Sequence, residues 1–103
     1  MYFMVIRERG AGWDESRALR EQDQWTEHGD FMDALADAGS VLVAGPIGDG
    51  TRPHRALIIV RAEDPSAVHT LLADDPWTLS ETLVTVTVEP WDVLIGRSLL
   101  QPT

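Results

Sequence analysis

The segment TLVTVTVEP, residues 82–90, constrains the fold most, because apolar and polar side chains alternate strictly along it. This period of two predicts a β-strand with Val84, Val86 and Val88 on one face and Thr85, Thr87 and Glu89 on the other. Three further apolar segments that end at turn formers are also predicted strands: residues 2–8, 40–46 and 55–62.

A first helix is predicted between the first two strands, from about Glu15 to Ala38. Asp14 or Ser16 can cap its start by accepting a free backbone N–H. Gly39 stands where a helix usually ends in a left-handed residue.

A second helix is predicted over residues 65–74. Asp64 caps it, and Pro65 occupies the first helical position, where its missing N–H costs nothing. Pro76 ends it. The loop IGDGTRPH joins two strands and opens no helix, so it is expected to be a hairpin connection and no phosphate site.

The order strand, helix, strand, strand, helix, strand predicts a ferredoxin-like α+β sandwich, with two helices on one face of a four-stranded sheet. The length of 103 residues fits one domain, residues 1–103, with a core over about 1–91 and a tail over 92–103.

The third strand is apolar on both faces. Leu57 and Ile59 point to one side and Ile58 and Val60 to the other, yet the helices can cover only one side. A large exposed apolar patch usually marks an interface. We therefore predict a homodimer with two sheets packed face to face and the tail crossing to the partner. The alternative is a tail that folds over its own sheet.

Composition narrows the function classes. A net charge of -9 disfavours nucleic-acid and anionic membrane partners, and no apolar stretch approaches the ~20 residues of a membrane span. Cysteine is absent, so a reducing cytoplasm is the expected location. Lysine is absent as well, which excludes Schiff-base chemistry. The three histidines lack the spacing of a metal site, and no cofactor is expected.

One histidine occupies the buried face of the first helix. Helical rotation places five carboxylates on the outer side: Asp23, Glu27, Asp30, Asp33 and Asp37. The inner side collects Trp25, Met32, Leu35 and Ala36, with Phe31 at its edge. His28 falls within this inner arc and is predicted to point towards the sheet.

Asp75 is the candidate partner of His28. Continuing the apolar stripe of the second helix brings Asp75 to the same side at the helix end, where an acid is disfavoured by roughly 0.3–1 kcal/mol. A histidine would compensate it. Two alternatives stay open: His28 is a core residue bonded to a backbone carbonyl, or Asp75-Pro76 is an ordinary helix stop.

Four motifs in order resemble the YCII-related (YciI-like) family: His28 early in the first helix, Gly39 with Gly45-Pro46, Asp75-Pro76-Trp77, and Pro90-Trp91. The resemblance covers most of the chain. It implies a dimeric α+β barrel with an active site on His28 and Asp75, and by position in the motifs it offers Gly45, Pro46 and Trp77 as substrate-binding residues.

The sequence departs from the family pattern at two places. Gly29 follows His28 where a larger apolar residue is usual, which loosens the helix by up to ~1 kcal/mol. Asp74 doubles the acid before Pro76, so either aspartate is a candidate for the inward position.

Two hypotheses of function follow. The first is a small cofactor-independent enzyme in which His28 is the general acid or base and Asp75 holds its tautomer, for isomerisation or elimination on a small carbonyl compound. Thr85 and Thr87 could add hydroxyls to a pocket. The second is a non-catalytic domain for small-ligand binding or assembly, in which the pair only rigidifies the core.

Overall fold

The computed structural model describes residues 1–100. Its strands are β1 (Tyr2–Arg9), β2 (Val41–Ile47), β3 (Arg55–Arg61) and β4 (Leu83–Trp91). Its helices are α1 (Trp25–Asp37), α2 (Pro65–Leu72) and the single turn α3 (Pro76–Leu79), with short 3-10 turns at Leu19–Glu21 and Arg97–Leu99. Over residues 1–100, no helix has the length and apolarity that crossing a membrane requires.

The four strands form one antiparallel sheet in the order β2-β3-β1-β4. Together with the order of helices and strands, this topology confirms the predicted ferredoxin-like α+β sandwich. The connection between β2 and β3 is the predicted hairpin, since the two strands pair directly.

The core lies between the sheet and the helices. Phe3 and Val5 pair across the sheet with Val60 and Ile58, and directly paired residues share one face. These side chains are buried against Val68 and other residues of α2, and partly buried side chains of α1 pack on the same cluster. This face therefore carries the hydrophobic stabilisation of the domain.

The outer face of the sheet is also apolar, as predicted. Met4 pairs with Ile59, Ile6 pairs with Leu57, and Val43 on β2 pairs with Ile59. Val43 is exposed, so part of this apolar outer face meets solvent in the single chain.

The tail lies against its own sheet over part of its length. Val93 is buried, and Arg61 donates a hydrogen bond to the carbonyl of Leu100 at 2.9 Å. Leu94 and Ile95 are nevertheless 81% and 93% exposed. Residues 101–103 of the predicted tail lie outside the described residues.

Helix α1 begins at Trp25 and not near residue 15, which corrects the prediction. The side chain of the buried Gln22 bonds both backbone groups of Asp14, and Asp14 closes a turn with Ser16 instead of capping a helix. Gln24 then adopts a left-handed conformation with φ 65° immediately before α1. These side-chain hydrogen bonds stabilise an irregular segment that local helix propensity did not predict.

The carboxylates of α1 are all exposed, as predicted, although Asp33 also borders the cavity between α1 and the sheet, and Asp23 precedes the helix. Trp25, Met32 and Leu35 are partly buried on the inner side, whereas Ala36 is exposed, contrary to the prediction. Gly39 ends the helix with φ +82°, as expected for its C-terminal position.

Strand β4 contains a β-bulge. Ile6 pairs with Thr87, but the next residue of β1, Arg7, pairs with Thr85, which leaves Val86 as the extra residue. Thr85 therefore lies on the helix side with Arg7, while Thr87 lies on the outer face with Ile6.

The prediction that Val84, Val86 and Val88 share one face is wrong for this reason. Val88 packs against the core, whereas Val84 and Val86 are exposed. A bulge inserts one extra residue into a strand, so side chains beyond it point to the opposite face from the one that the alternation of apolar and polar residues predicts.

Candidate active site

Asp75 is completely buried at the junction of α2 and α3. Its side chain caps α3 by accepting a hydrogen bond from the N–H of Trp77 at 3.0 Å. Asp75 follows the end of α2, as predicted, and its N–H donates to the carbonyl of Leu72. The expected unfavourable position for an acid is wrong, because Pro76 starts a new helical turn and the cap of that turn favours the carboxylate. Asp74 is exposed, so Asp75 is the aspartate that faces inward.

Arg7 forms a buried ion pair with Asp75, and sequence reasoning missed it. Its Nη1 lies 2.7 Å from Asp75 Oδ2, with both side chains at most 1% exposed. Its Nη2 donates to the hydroxyl of Thr78, while Nε has no partner within residues 1–100. The sequence pattern could have predicted its buried position, because Arg7 continues the alternation that places Phe3 and Val5 on the inner face.

His28 contacts the same carboxylate. Its Nδ1 lies 2.9 Å from Oδ1 and 3.0 Å from Oδ2 of Asp75. An ionised carboxylate only accepts hydrogen bonds, so Nδ1 carries the proton and Nε2 keeps its lone pair in the neutral ring.

Trp77 fixes the plane of the His28 ring. The two rings stack with centroids 4.0 Å apart and an interplanar angle of 6°. Trp77 is itself fully buried and anchored by a hydrogen bond from Nε1 to the carbonyl of Asp23 at 2.7 Å. Carboxylate and indole together hold His28 in one orientation.

Asp75 is held in its ionised form. Burial alone would raise the pKa of Asp75, but hydrogen bonds from His28, Arg7 and the N–H of Trp77 lower it, and the net pKa lies below the ordinary value. At neutral pH the site therefore contains a negatively charged carboxylate next to Nδ1 of His28.

The cavity beside His28 has a volume of about 350 Å³ and lies between α1 and the sheet. Four of the five predicted site residues line it: His28, Gly45, Pro46 and Trp77. Asp75 lies behind His28 and has no exposed surface. Trp25, Met32 and Ile58 add apolar walls, which suits a small and largely apolar ligand.

A second histidine, His54, lines the same cavity. It precedes Arg55, which pairs with Glu8 near the end of β1, and this register brings it close to Trp13 in the segment after β1. The position of His54 near Trp13 depends on the register between β1 and β3 and could not be predicted from local sequence patterns. Of the remaining predicted residues, Thr85 is partly buried on the helix side and Thr87 lies on the outer face, so the two hydroxyls do not share a pocket.

Within residues 1–100, no group of three or more His, Asp or Glu side chains is arranged to hold a metal ion.

The fold and this geometry define a small α+β domain with an aromatic-walled cavity and a buried His–Asp contact. Residues 1–92 match the model of the YCII-related domain, and the chain belongs to this family. A comparison with curated proteins found no match.

Among solved structures, the chain is similar to 5-chloro-2-hydroxyhydroquinone dehydrochlorinase from Burkholderia phenoliruptrix AC1100, in complex with 2,5-dihydroxybenzoquinone. The two are 26% identical with a TM-score of 0.65, and the match covers 89% of this chain and 94% of that one.

Proposed function

We propose that this protein is a small cofactor-independent enzyme in which His28, oriented by Asp75, transfers a proton on a small carbonyl compound. The main support is the contact of 2.9 Å between His28 Nδ1 and the buried carboxylate of Asp75, next to a cavity large enough for a small molecule. A base of this kind typically contributes 10²–10⁴-fold to a rate.

The proposed reaction begins with a C–H proton next to the carbonyl. Nε2 of His28 takes this proton, the C–H electron pair becomes a C=C bond, and the carbonyl π pair moves onto oxygen. Asp75 stabilises the resulting imidazolium through Nδ1–H. Returning the proton to another carbon of a conjugated enolate re-forms the carbonyl and completes an isomerisation. In an elimination the oxygen electron pair re-forms the carbonyl, the C=C pair shifts to the neighbouring carbon, the leaving group departs with its electron pair, and His28 releases its proton to water.

The solved neighbour supports this reaction class. It is named a dehydrochlorinase, and loss of HCl is an elimination; the molecule in its complex is a quinone, a cyclic compound with two carbonyls. The apolar and aromatic walls of the cavity suit a ligand of that type.

Proton exchange tests the proposal. The purified protein is incubated in D₂O with a panel of small cyclic and acyclic carbonyl compounds, and with 5-chloro-2-hydroxyhydroquinone for chloride release. We expect wild-type protein to accelerate at least one reaction and His28→Gln to lower that rate at least ~100-fold while keeping its circular dichroism. His69→Gln, an exposed histidine on α2, is the matched control.

Two results would contradict the enzyme proposal. One is an unchanged rate in His28→Gln; the other is a wild-type protein that accelerates nothing in the panel. Unfolding of His28→Gln would favour the alternative of a non-catalytic binding or assembly domain, in which the pair only rigidifies the core.

We also propose that the protein is a homodimer through the apolar outer face of the sheet. Exposed Val43 on that face and the exposed tail residues Leu94, Ile95 and Leu99 support a second copy as the covering partner. Light scattering should give twice the chain mass of 11.4 kDa, and Val43→Arg should weaken the dimer. Leu79→Arg, on α3, is the control, and a wild-type monomer at micromolar concentration would defeat the proposal.

The cytoplasm is the proposed location, without nucleic-acid or membrane partners. The net charge of -9 supports the second part, because an acidic surface repels phosphate backbones and anionic lipid. Subcellular fractionation of the tagged protein tests the location.

A further inference from the structure

His54 has no part in the proposed His28–Asp75 mechanism, although it lines the same cavity. Its ring stacks on Trp13, with centroids 4.9 Å apart and an interplanar angle of 11°. Trp13 meets Trp77 edge to face at 6.3 Å, and Trp77 stacks on His28. The two histidines are thus the ends of one connected set of aromatic rings.

Stacking on Trp13 engages the ring face of His54 and leaves its nitrogens, which lie in the ring plane, free of Trp13. Burial, and then the charge of His28, lower the pKa of His54. A lowered pKa favours the neutral form of His54, and a proton on His28 favours that form further. A neutral imidazole offers one N–H donor and can stabilise an oxyanion without giving up its proton.

We propose that His54 is a second catalytic residue, which donates a hydrogen bond to a carbonyl oxygen of a planar cyclic substrate while His28 moves the proton. This inference rests on the proposed function. As the C–H electron pair becomes the C=C bond, negative charge collects on the carbonyl oxygen, and the N–H of His54 stabilises it there and remains on nitrogen. A donor aimed at developing charge is typically worth 10²–10³-fold in rate.

The planar shape of the substrate follows from the walls. The partly exposed indole of Trp25 and the imidazole of His28 border the cavity, and flat ligand rings pack well against such rings. Trp77 is fully buried and supports the His28 ring from behind. Because His28 and His54 both line this cavity, we infer a flat ring with oxygens at two positions as the ligand shape.

Nuclear magnetic resonance of the imidazole nitrogens tests the inference directly, because the chain has three histidines. The probe is 2,5-dihydroxybenzoquinone, whose ionised oxygens resemble the charged oxygen of the reaction. We expect its addition to shift the ring nitrogens of His28 and His54 and to leave those of the exposed His69 unchanged.

Each other outcome has a defined meaning. A shift at His28 alone overturns the role of His54 and leaves the proposed function standing. A shift at His54 alone contradicts the proposed role of His28. No shift at either histidine contradicts both proposals.

Variants give an independent measurement by tryptophan fluorescence with the same probe. His54→Phe keeps a ring to stack on Trp13 and removes the donor, so we expect the Kd to rise about tenfold. His54→Gln keeps an N–H donor and should bind more tightly than His54→Phe, and His69→Gln should stay within twofold of wild type. Equal binding by His54→Phe and wild type would overturn the inference.

Discussion

Replacing Asp75 by Asn should destabilise the fold far more than a single hydrogen bond would suggest. The amide oxygen of the new side chain could still accept the N–H of Trp77, but its NH₂ group would then face the guanidinium of Arg7 or the N–H of His28, donor against donor. Arg7 would keep its charge in a site with 1% side-chain exposure. Removing one partner of such a buried pair costs about 3–5 kcal/mol.

Urea unfolding followed by tryptophan fluorescence measures this loss. With an m-value of roughly 1.5 kcal/mol/M, the midpoint of unfolding should fall by about 2–3 M. Asp74→Asn is the matched control, since the same change at the exposed neighbouring position should stay within about 0.5 kcal/mol. All variants are compared at one protein concentration, because association adds to apparent stability.

A second substitution isolates the charge. Arg7→Met in the Asp75→Asn background removes the unpaired guanidinium, so the double variant should lose less free energy than the sum of the two single variants, by about 1–3 kcal/mol. A loss below about 1 kcal/mol in Asp75→Asn, or strict additivity, would refute the view that an uncompensated buried charge dominates.

Two further predictions concern pH and glycine. The pKa of folded Asp75 lies below the ordinary value of 3.8, so the ionised carboxylate contributes its full stability above pH 3.8 and loses it as the pH falls through the folded pKa. The difference in unfolding free energy between wild type and Asp75→Asn should therefore narrow at acidic pH. A difference that is independent of pH would contradict this prediction. A Cβ on Gly12 would overlap the carbonyl oxygen of Ser80, whereas a Cβ on Gly29 would meet open space. Gly12→Ala should therefore destabilise the fold by at least about 1 kcal/mol, and Gly29→Ala should stabilise it by roughly 0.5–1 kcal/mol. Thermal unfolding measures both changes, and equal shifts in Tm would contradict the prediction.

The fold could be predicted because its signals are local. The apolar runs, the Asp64 cap that accepts from Ala67 at 2.8 Å, and Gly39 at the end of α1 each act within a few residues. Their order along the chain then permits few topologies.

The errors in the fold arose where tertiary contacts override these local signals. The bulge at Val86 is set by pairing with β1, and the side chain of Gln22 holds the segment before Trp25 out of a helix. Neither interaction produces a periodic pattern of apolar residues in the sequence, so neither could be predicted from it.

The site was predicted in part. Helical rotation correctly predicted the inward position of His28, and the apolar stripe of the second helix, together with the motifs, indicated Asp75 as its partner. The structure adds Arg7 and His54 to the candidate site. Arg7 could have been found from its place after Phe3 and Val5. His54 could not, because its approach to Trp13 depends on the register between β1 and β3.

Asp75 is both a structural residue and a residue of the candidate site. Its carboxylate joins three separate elements of the fold: β1 through Arg7, α1 through His28 and α3 through Trp77. Any substitution there changes the fold and the environment of His28 together, so a loss of activity in an Asp75 variant cannot by itself identify a catalytic pair. The side chain of His28 is 14% exposed and has one polar partner, Asp75, within residues 1–100. Substitution of His28 removes the proposed base while Arg7 keeps its counter-ion. Variants at His28 and His54 are therefore the ones that separate catalysis from stability.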